Sequence, residues 1–300
     1  VIRWLILYMF ILPFRPRAIQ AKYEKIWDKD GFLLIKNSQK LVEALSEALG
    51  PEYIVEMAMR YCEPTINSTL QRIVASGAPD LLVIPLFPQY ASATTGSILE
   101  HLFDTIKAWT VFPRITVFSQ FHSQPGFIRA WVKVAEKCLK EEPDHILFSF
   151  HGLPEKHILN ADRSGSLCLS SDQCCERLHR MNHSCYRAQC FQTARNIADA
   201  LRINKKDYSV GFQSRLGRAK WIEPYTSDIV EKLGSGGVQD LLVFCPSFVA
   251  DCLETVEEIG VEEKERFLKS GGRKLTLVPS LNAADIWVDA LVDMIRQAKR

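Results

Sequence analysis

The tetrapeptide DLLV occurs twice, at residues 80–83 and 240–243, and each copy opens a longer similar run. DLLVIPLFPQYASATTGSILE (80–100) and DLLVFCPSFVADCLETVEEI (240–259) both read as an apolar strand, a short polar loop and the start of a helix. A duplicated strand–loop–helix unit within one chain points to two related lobes. Further runs rich in Val, Ile, Leu and Phe lie at 53–59, 114–121, 145–150, 208–212 and 274–280, with amphipathic stretches at 64–77, 126–141 and 283–300. Strands that are apolar throughout and alternate with helices predict parallel sheets covered on both faces. The expected fold class is α/β: two similar Rossmann-type lobes, parallel sheets flanked by helices, and a ligand cleft between them.

The expected boundaries are 1–140 for the first lobe and 141–300 for the second. The second opens with HILFSFHGLP (145–154), whereas the first opens with the apolar VIRWLILYMFILPF (1–14) and has no equivalent strand. The expectation is a first lobe lacking its first strand, as in an N-terminally truncated sequence.

Composition narrows the class. With 47% hydrophobic and 24% charged residues, the chain reads as an ordinary soluble globular protein. A formal net charge of +2 gives no ground for a nucleic-acid partner. The opening apolar stretch contains Arg3 and is shorter than the ~20 residues that span a bilayer. It reads as a core or interfacial helix, with peripheral contact to a membrane surface left open. Nine cysteines, an odd number in a chain large enough to do without disulfide staples, point to a reducing cytoplasm and to free thiols or metal ligands.

In open parallel sheets, ligands bind beyond the carboxyl ends of strands, and three such loops are rich in polar groups. PQYASATTGS (88–97) carries Tyr90 and several hydroxyls, which also suit a helix cap. HGLP places His151 where an apolar run gives out. PSFVADCLETVEEI (246–259) places Asp251, Glu254, Glu257 and Glu258 at a helix start, where the helix dipole favours acids. In an α-helix, Asp251, Glu254 and Glu258 would share one face, a row able to carry metal ions or protons.

Taken together, LFPQYASATTGS, FSFHGLP, GFQSRLGRAKWIEPYT and CPSFVADCLETVEEI resemble the ferrochelatase family, in order and through essentially the whole chain. The resemblance implies a chelatase-like fold and a lyase that inserts Fe²⁺ into protoporphyrin IX, giving protohaem and two protons. Metallation of a free-base porphyrin needs a group that accepts protons or ligates iron and carboxylates that attract the cation. His151 and Glu254 match the family's facing histidine and glutamate, the implied catalytic and metal-contacting pair. Asp251 and Glu258 are candidates for an iron or proton path. Arg60, Tyr61, Tyr90, Trp221 and Phe248 fall at porphyrin-binding motif positions, with the Arg60 guanidinium suited to a propionate. The chain departs from the family at Cys252, where some relatives carry histidine; that puts a second histidine on the iron path in doubt. It also lacks the opening strand and Gly-Thr-Pro or Gly-Gly-Pro loop.

Five cysteines fall in LCLSSDQCCERLHRMNHSCYRAQC (167–190), a spacing unlike the paired C-x2-C of a zinc ribbon. Some bacterial ferrochelatases hold a [2Fe–2S] cluster through an internal cysteine segment. That resemblance implies Cys168, Cys175, Cys185 and Cys190 as ligands, with Cys174 interchangeable with Cys175. A zinc site or reduced thiols are the alternatives. For the whole protein they are a coproporphyrin ferrochelatase or other tetrapyrrole chelatase, and a non-catalytic two-lobed binder of haem or a small ligand. Simple binding needs no paired histidine and carboxylate, which favours the enzyme.

Overall fold

The computed structural model describes residues 27–28, 31–171 and 173–299. An antiparallel pair, β1 (Trp27–Asp28) and β2 (Gly31–Phe32), leads into α1 (Leu33–Leu49). The chain continues with α2 (Ile66–Ala75), β3 (Asp80–Val83), a π-helical turn (Ser92–Gly96), α3 (Ser97–Ile106), β4 (Arg114–Val117) and α4 (Pro125–Leu139). Then come β5 (His145–His151), α5 (Glu155–Ala161), α6 (Tyr186–Ala200), β6 (Tyr208–Gln213), α7 (Thr226–Ser235) and β7 (Asp240–Phe244). These are followed by a π-helix (Glu254–Glu263), α8 (Lys264–Lys269), β8 (Lys274–Leu277) and α9 (Asp285–Ala298).

The duplication is legible residue by residue. α2 and α7, β3 and β7, β4 and β8, and α4 and α9 begin 160 positions apart. β3 pairs parallel with β4 through Asp80↔Arg114, and β7 with β8 through Asp240↔Lys274. In both lobes π-helical backbone follows the equivalent strand, a distortion that often marks functional sites.

The second-lobe sheet runs β6-β5-β7-β8, all parallel. β5 is its central strand, and residues 146–150 are buried, which explains the unbroken apolar run. Several strands stop short of their apolar runs. β3 ends before Pro85 and β7 before Pro246, where a missing N–H ends a ladder.

The strand expected at 53–59 is corrected. The segment forms no ladder, and its one bridge is Met59 to Thr65. In the second lobe β6 draws its whole ladder from β5, and no strand among the described residues plays that part beside 53–59. Backbone without a neighbouring ladder is not a strand, whatever its composition.

The lobes are held together by their equivalent helices. α4 packs against α9 and also meets α6. A Cβ at Gly126 would lie 2.7 Å from the Cβ of Ala290, so the close crossing depends on glycine there. Phe121, Phe127, Trp131 and Trp287 form an aromatic cluster at this junction, each 2% exposed or less. Burial of such side chains contributes roughly 2–3 kcal/mol apiece, enough to make the junction part of the core rather than a hinge. Among the described residues no helix is long and apolar enough to cross a membrane. The apolar helix expected at 1–14 lies outside them.

Candidate active site

His151 ends β5, where the sheet opens into the HGLP loop. Its Nδ1 lies 2.6 Å from the carbonyl oxygen of Gly152. A carbonyl only accepts, so Nδ1 carries the proton and the lone pair sits on Nε2, open to a proton or a metal ion. The imidazole centroid is 6.4 Å from the Trp221 ring and 6.1 Å from Phe248, bringing three of the expected site residues together. Trp221 is 9% exposed, and its Nε1 donates to the Leu216 carbonyl.

Glu254 reaches this group through Gln213. Gln213 stands opposite His151 in the β5–β6 ladder, and its Nε2 donates to the Glu254 carbonyl at 2.7 Å. Burial pushes the Cys252 thiol well up, and the negative charge of Glu254 adds to the shift. The protonated thiol is a poor metal ligand as it stands.

The other two acids of the expected row have different duties. Asp251 precedes the π-helix and accepts from Asn282 Nδ2, the Ser280 amide and the Thr255 hydroxyl, while Asn282 Oδ1 accepts from its amide. It braces the loop instead of extending a row. Glu258 accepts from the Ser214 amide at 2.7 Å and the Ser214 hydroxyl at 2.6 Å, and so caps the turn after β6. A common α-helical face fails here because Asp251 lies outside the helix and the winding beyond it is π.

In the first lobe Arg60 and Tyr61 occupy the loop before α2. The Arg60 Nε donates to Ser97 Oγ at the start of α3, and the guanidinium carbon lies 4.9 Å from the Tyr61 ring centroid. Tyr61 is 84% exposed, a large aromatic surface with no core to fill. Tyr90 packs beside the π-helical turn, its hydroxyl 3.4 Å from where a Cβ at Gly96 would stand.

α6 connects the two halves. Tyr186 donates from its hydroxyl to the His151 carbonyl at 2.7 Å. Three residues on, the buried Gln189 accepts from the Tyr90 amide at 2.7 Å and donates to Gln120 Oε1 and the His183 carbonyl. Residues three apart on a helix are neighbours, so one short stretch of α6 holds both groups. Sequence reasoning missed Tyr186, Gln189 and Gln213; polar residues beside the cysteines and at strand ends were the available signal.

Cys168, Cys175, Cys185 and Cys190 are all buried. Cys174 Sγ lies 3.6 Å from Cys175 Sγ. Burial pushes the Cys168 and Cys190 thiols up; for Cys175 the Cys185 hydrogen bond leads and burial adds to it. The donor chemistry is that of a thiolate-ligated metal. The arrangement gives the cluster no support: among the described residues no three His, Cys, Asp or Glu side chains are placed to hold a metal ion.

Comparison with known proteins agrees with the geometry. The profile of the family described as Ferrochelatase matches residues 1–299. A ferrochelatase of Coxiella burnetii (strain CbuK_Q154) is 41% identical over 298 residues, covering 99% of this chain and 83% of its own. A ferrochelatase of Stutzerimonas stutzeri (strain A1501) is 41% identical, covering 98% and 86%. Among solved structures, SirB from Bacillus subtilis with Fe³⁺ superposes with a TM-score of 0.58 at 13% identity, covering 88% of this chain and 90% of its own. CbiX, described as the terminal enzyme for siroheme biosynthesis in denitrifying bacteria, gives 0.51 at 13%, covering 87% and 92%. These two likenesses concern the fold. On the family match and the two close relatives, the chain belongs to the ferrochelatase family and is a lyase that inserts ferrous iron into a porphyrin.

Proposed function

We propose that the substrate is protoporphyrin IX and that His151 and Glu254 carry the reaction. The observation behind this is the lock on His151: with Nδ1 donating to Gly152, the Nε2 lone pair is available beside Trp221 and Phe248. Insertion of Fe²⁺ displaces two pyrrole protons, so the site needs an acceptor for protons and a negative group for the cation. His151 Nε2 meets the first need, as base or as ligand to the incoming iron. The carboxylate of Glu254, whose backbone carbonyl is tied to the same ladder through Gln213, meets the second. Arg60, Tyr61, Tyr90, Trp221 and Phe248 bind the macrocycle, with Arg60 on a propionate. Asp251 and Glu258 hold loops around the site.

Anaerobic Fe²⁺ incorporation, comparing protoporphyrin with coproporphyrin, tests the substrate; a clear preference for coproporphyrin overturns it. His151→Ala abolishes turnover and leaves porphyrin binding in place, and unchanged turnover refutes the assignment.

We also infer two lobes with a boundary near residue 140, a cytoplasmic location, and peripheral membrane contact through residues 1–14. Vesicle flotation with and without those residues tests the contact. A [2Fe–2S] cluster on Cys168, Cys175, Cys185 and Cys190 rests on the donor set alone, four buried thiols. It would have no part in metallation, which transfers no net electrons. Visible absorption with iron and sulfide analysis of anaerobically purified protein tests it; colourless, iron-free protein overturns it.

A further inference from the structure

His151 stands at the last rung of β5, where sheet hydrogen bonds give out, yet its backbone is fixed on both sides. Its amide donates to Ser247 Oγ at 3.1 Å, and its carbonyl accepts from the Tyr186 hydroxyl at 2.7 Å. The next amide, of Gly152, donates to the Gln213 carbonyl at 2.8 Å. Two of these three contacts come from side chains outside the β5–β6 ladder. Ser247 follows β7, and Tyr186 opens α6 directly after Cys185.

The phenol is well placed for such a role. Tyr186 is 7% exposed, and its hydroxyl is the donor in this contact because a carbonyl only accepts. The Ser247 hydroxyl on the amide side and the Tyr186 hydroxyl on the carbonyl side thus hold one residue from two different elements. Catalytic groups held by packing alone drift; productive geometry has to be kept to about 0.5 Å by hydrogen bonds from a second layer.

We propose that Tyr186 is a positioning residue for His151, setting the strand-end backbone from which the imidazole projects, and that α6 in this way links the cysteine-rich segment to the reacting histidine. The proposal rests on the reading of His151 as the reacting group. It assigns Tyr186 no contact with porphyrin or iron. Through Gln189, one turn on, the same helix holds the Tyr90 amide.

Tyr186→Phe keeps the ring and removes the hydroxyl. In anaerobic Fe²⁺ incorporation, kcat falls about three- to tenfold, the range that loss of one buried neutral hydrogen bond produces. The porphyrin KM stays within about twofold, and the urea midpoint stays near that of the parent. In protein labelled with ¹⁵N-histidine, the His151 Nδ1–H resonance shifts or broadens, because the lock to Gly152 loosens with the backbone. An unchanged kcat overturns the proposal. So does a joint loss of kcat, porphyrin affinity and stability, which is what a purely packing role gives. Should Tyr186→Phe not fold, Ser247→Ala removes the partner of the His151 amide, and the same split between kcat and KM is required. His151→Ala run in parallel separates the two readings. An active His151→Ala refutes the role of the histidine; an inactive one beside an unimpaired Tyr186→Phe refutes that of the tyrosine alone.

Discussion

Gly152 approaches the Trp221 ring so closely that a Cβ on it would lie 3.1 Å from Trp221 Cε3 and 2.8 Å from the Gln213 carbonyl oxygen. That glycine also supplies the carbonyl that fixes the His151 tautomer. Packing and chemistry therefore meet on one residue without a side chain.

Gly152→Ala pushes the loop off both neighbours. Overpacking of this kind costs about 1–3 kcal/mol. Movement of the Gly152 carbonyl releases Nδ1, so iron insertion falls by more than tenfold while the protein remains folded. Urea titration and steady-state kinetics on the same preparation check the two effects.

Asp251 and Asn282 exchange two hydrogen bonds, 2.8 and 2.9 Å long, and so join the β7 loop to the β8 loop. Asp251→Ala and Asn282→Ala each destabilise the fold, and in the double variant the losses do not add. A coupling of about 0.5–3 kcal/mol is expected from the cycle. Iron insertion per folded molecule changes little, since the carboxylate is occupied by the brace. A fall of a hundredfold or more in the folded Asp251→Ala protein would return Asp251 to the iron path.

Two buried groups give stability opposite dependences on pH. Burial lowers His122 from 6.5 to about 4. Between those values the unfolded chain binds a proton that the folded chain does not, so this contribution is lost as pH falls from 6.5 to 4. Burial raises Glu263 from 4.5 to about 7, against the pull of Arg266. There the folded chain holds the proton, so this contribution is lost as pH rises from 4.5 to 7. Each slope approaches about 1.4 kcal/mol per pH unit, and between 4.5 and 6.5 they oppose each other. Glu263→Gln leaves a stability that declines toward acid, and His122→Asn one that declines toward neutrality. Urea midpoints across pH 4–7 read both directly.

Much of the fold was legible because burial on both faces writes strands as unbroken apolar runs, as in HILFSF, and because DLLV marked the duplication. The place of His151 was legible for a related reason, since an apolar run that gives out at a titratable residue marks where a buried strand meets a loop. The partners that fix it were not. Tyr186, Gln189 and Ser247 act across elements distant in sequence, and a buried polar residue looks the same in a string whether it braces a catalytic group or a loop. Asp251 was misplaced because α-helical spacing was assumed where the backbone winds as a π-helix and starts later. The segment 53–59 has a strand's composition but no described ladder partner, and pairing is not a property of a segment by itself.

Arg60 donates from Nε to Ser97 Oγ at 3.2 Å, which orients the guanidinium and leaves its outer nitrogens free of described hydrogen bonds. A fork of that shape suits one carboxylate of a porphyrin propionate. Arg60→Ala therefore raises the porphyrin KM by about tenfold or more with a smaller effect on kcat, and Arg60→Lys recovers part of the loss, because an ammonium supplies the charge but not the fork. The decisive comparison uses the porphyrin dimethyl ester, whose propionates are neutral. The parent protein binds the ester more weakly than the diacid, whereas Arg60→Ala binds the two nearly alike, since each change removes one half of the same ion pair. Fluorescence quenching titrations with both porphyrins measure this cycle. Equal losses for diacid and ester in Arg60→Ala would show that the arginine supports the loop carrying Tyr61, and the propionate would then need another anchor.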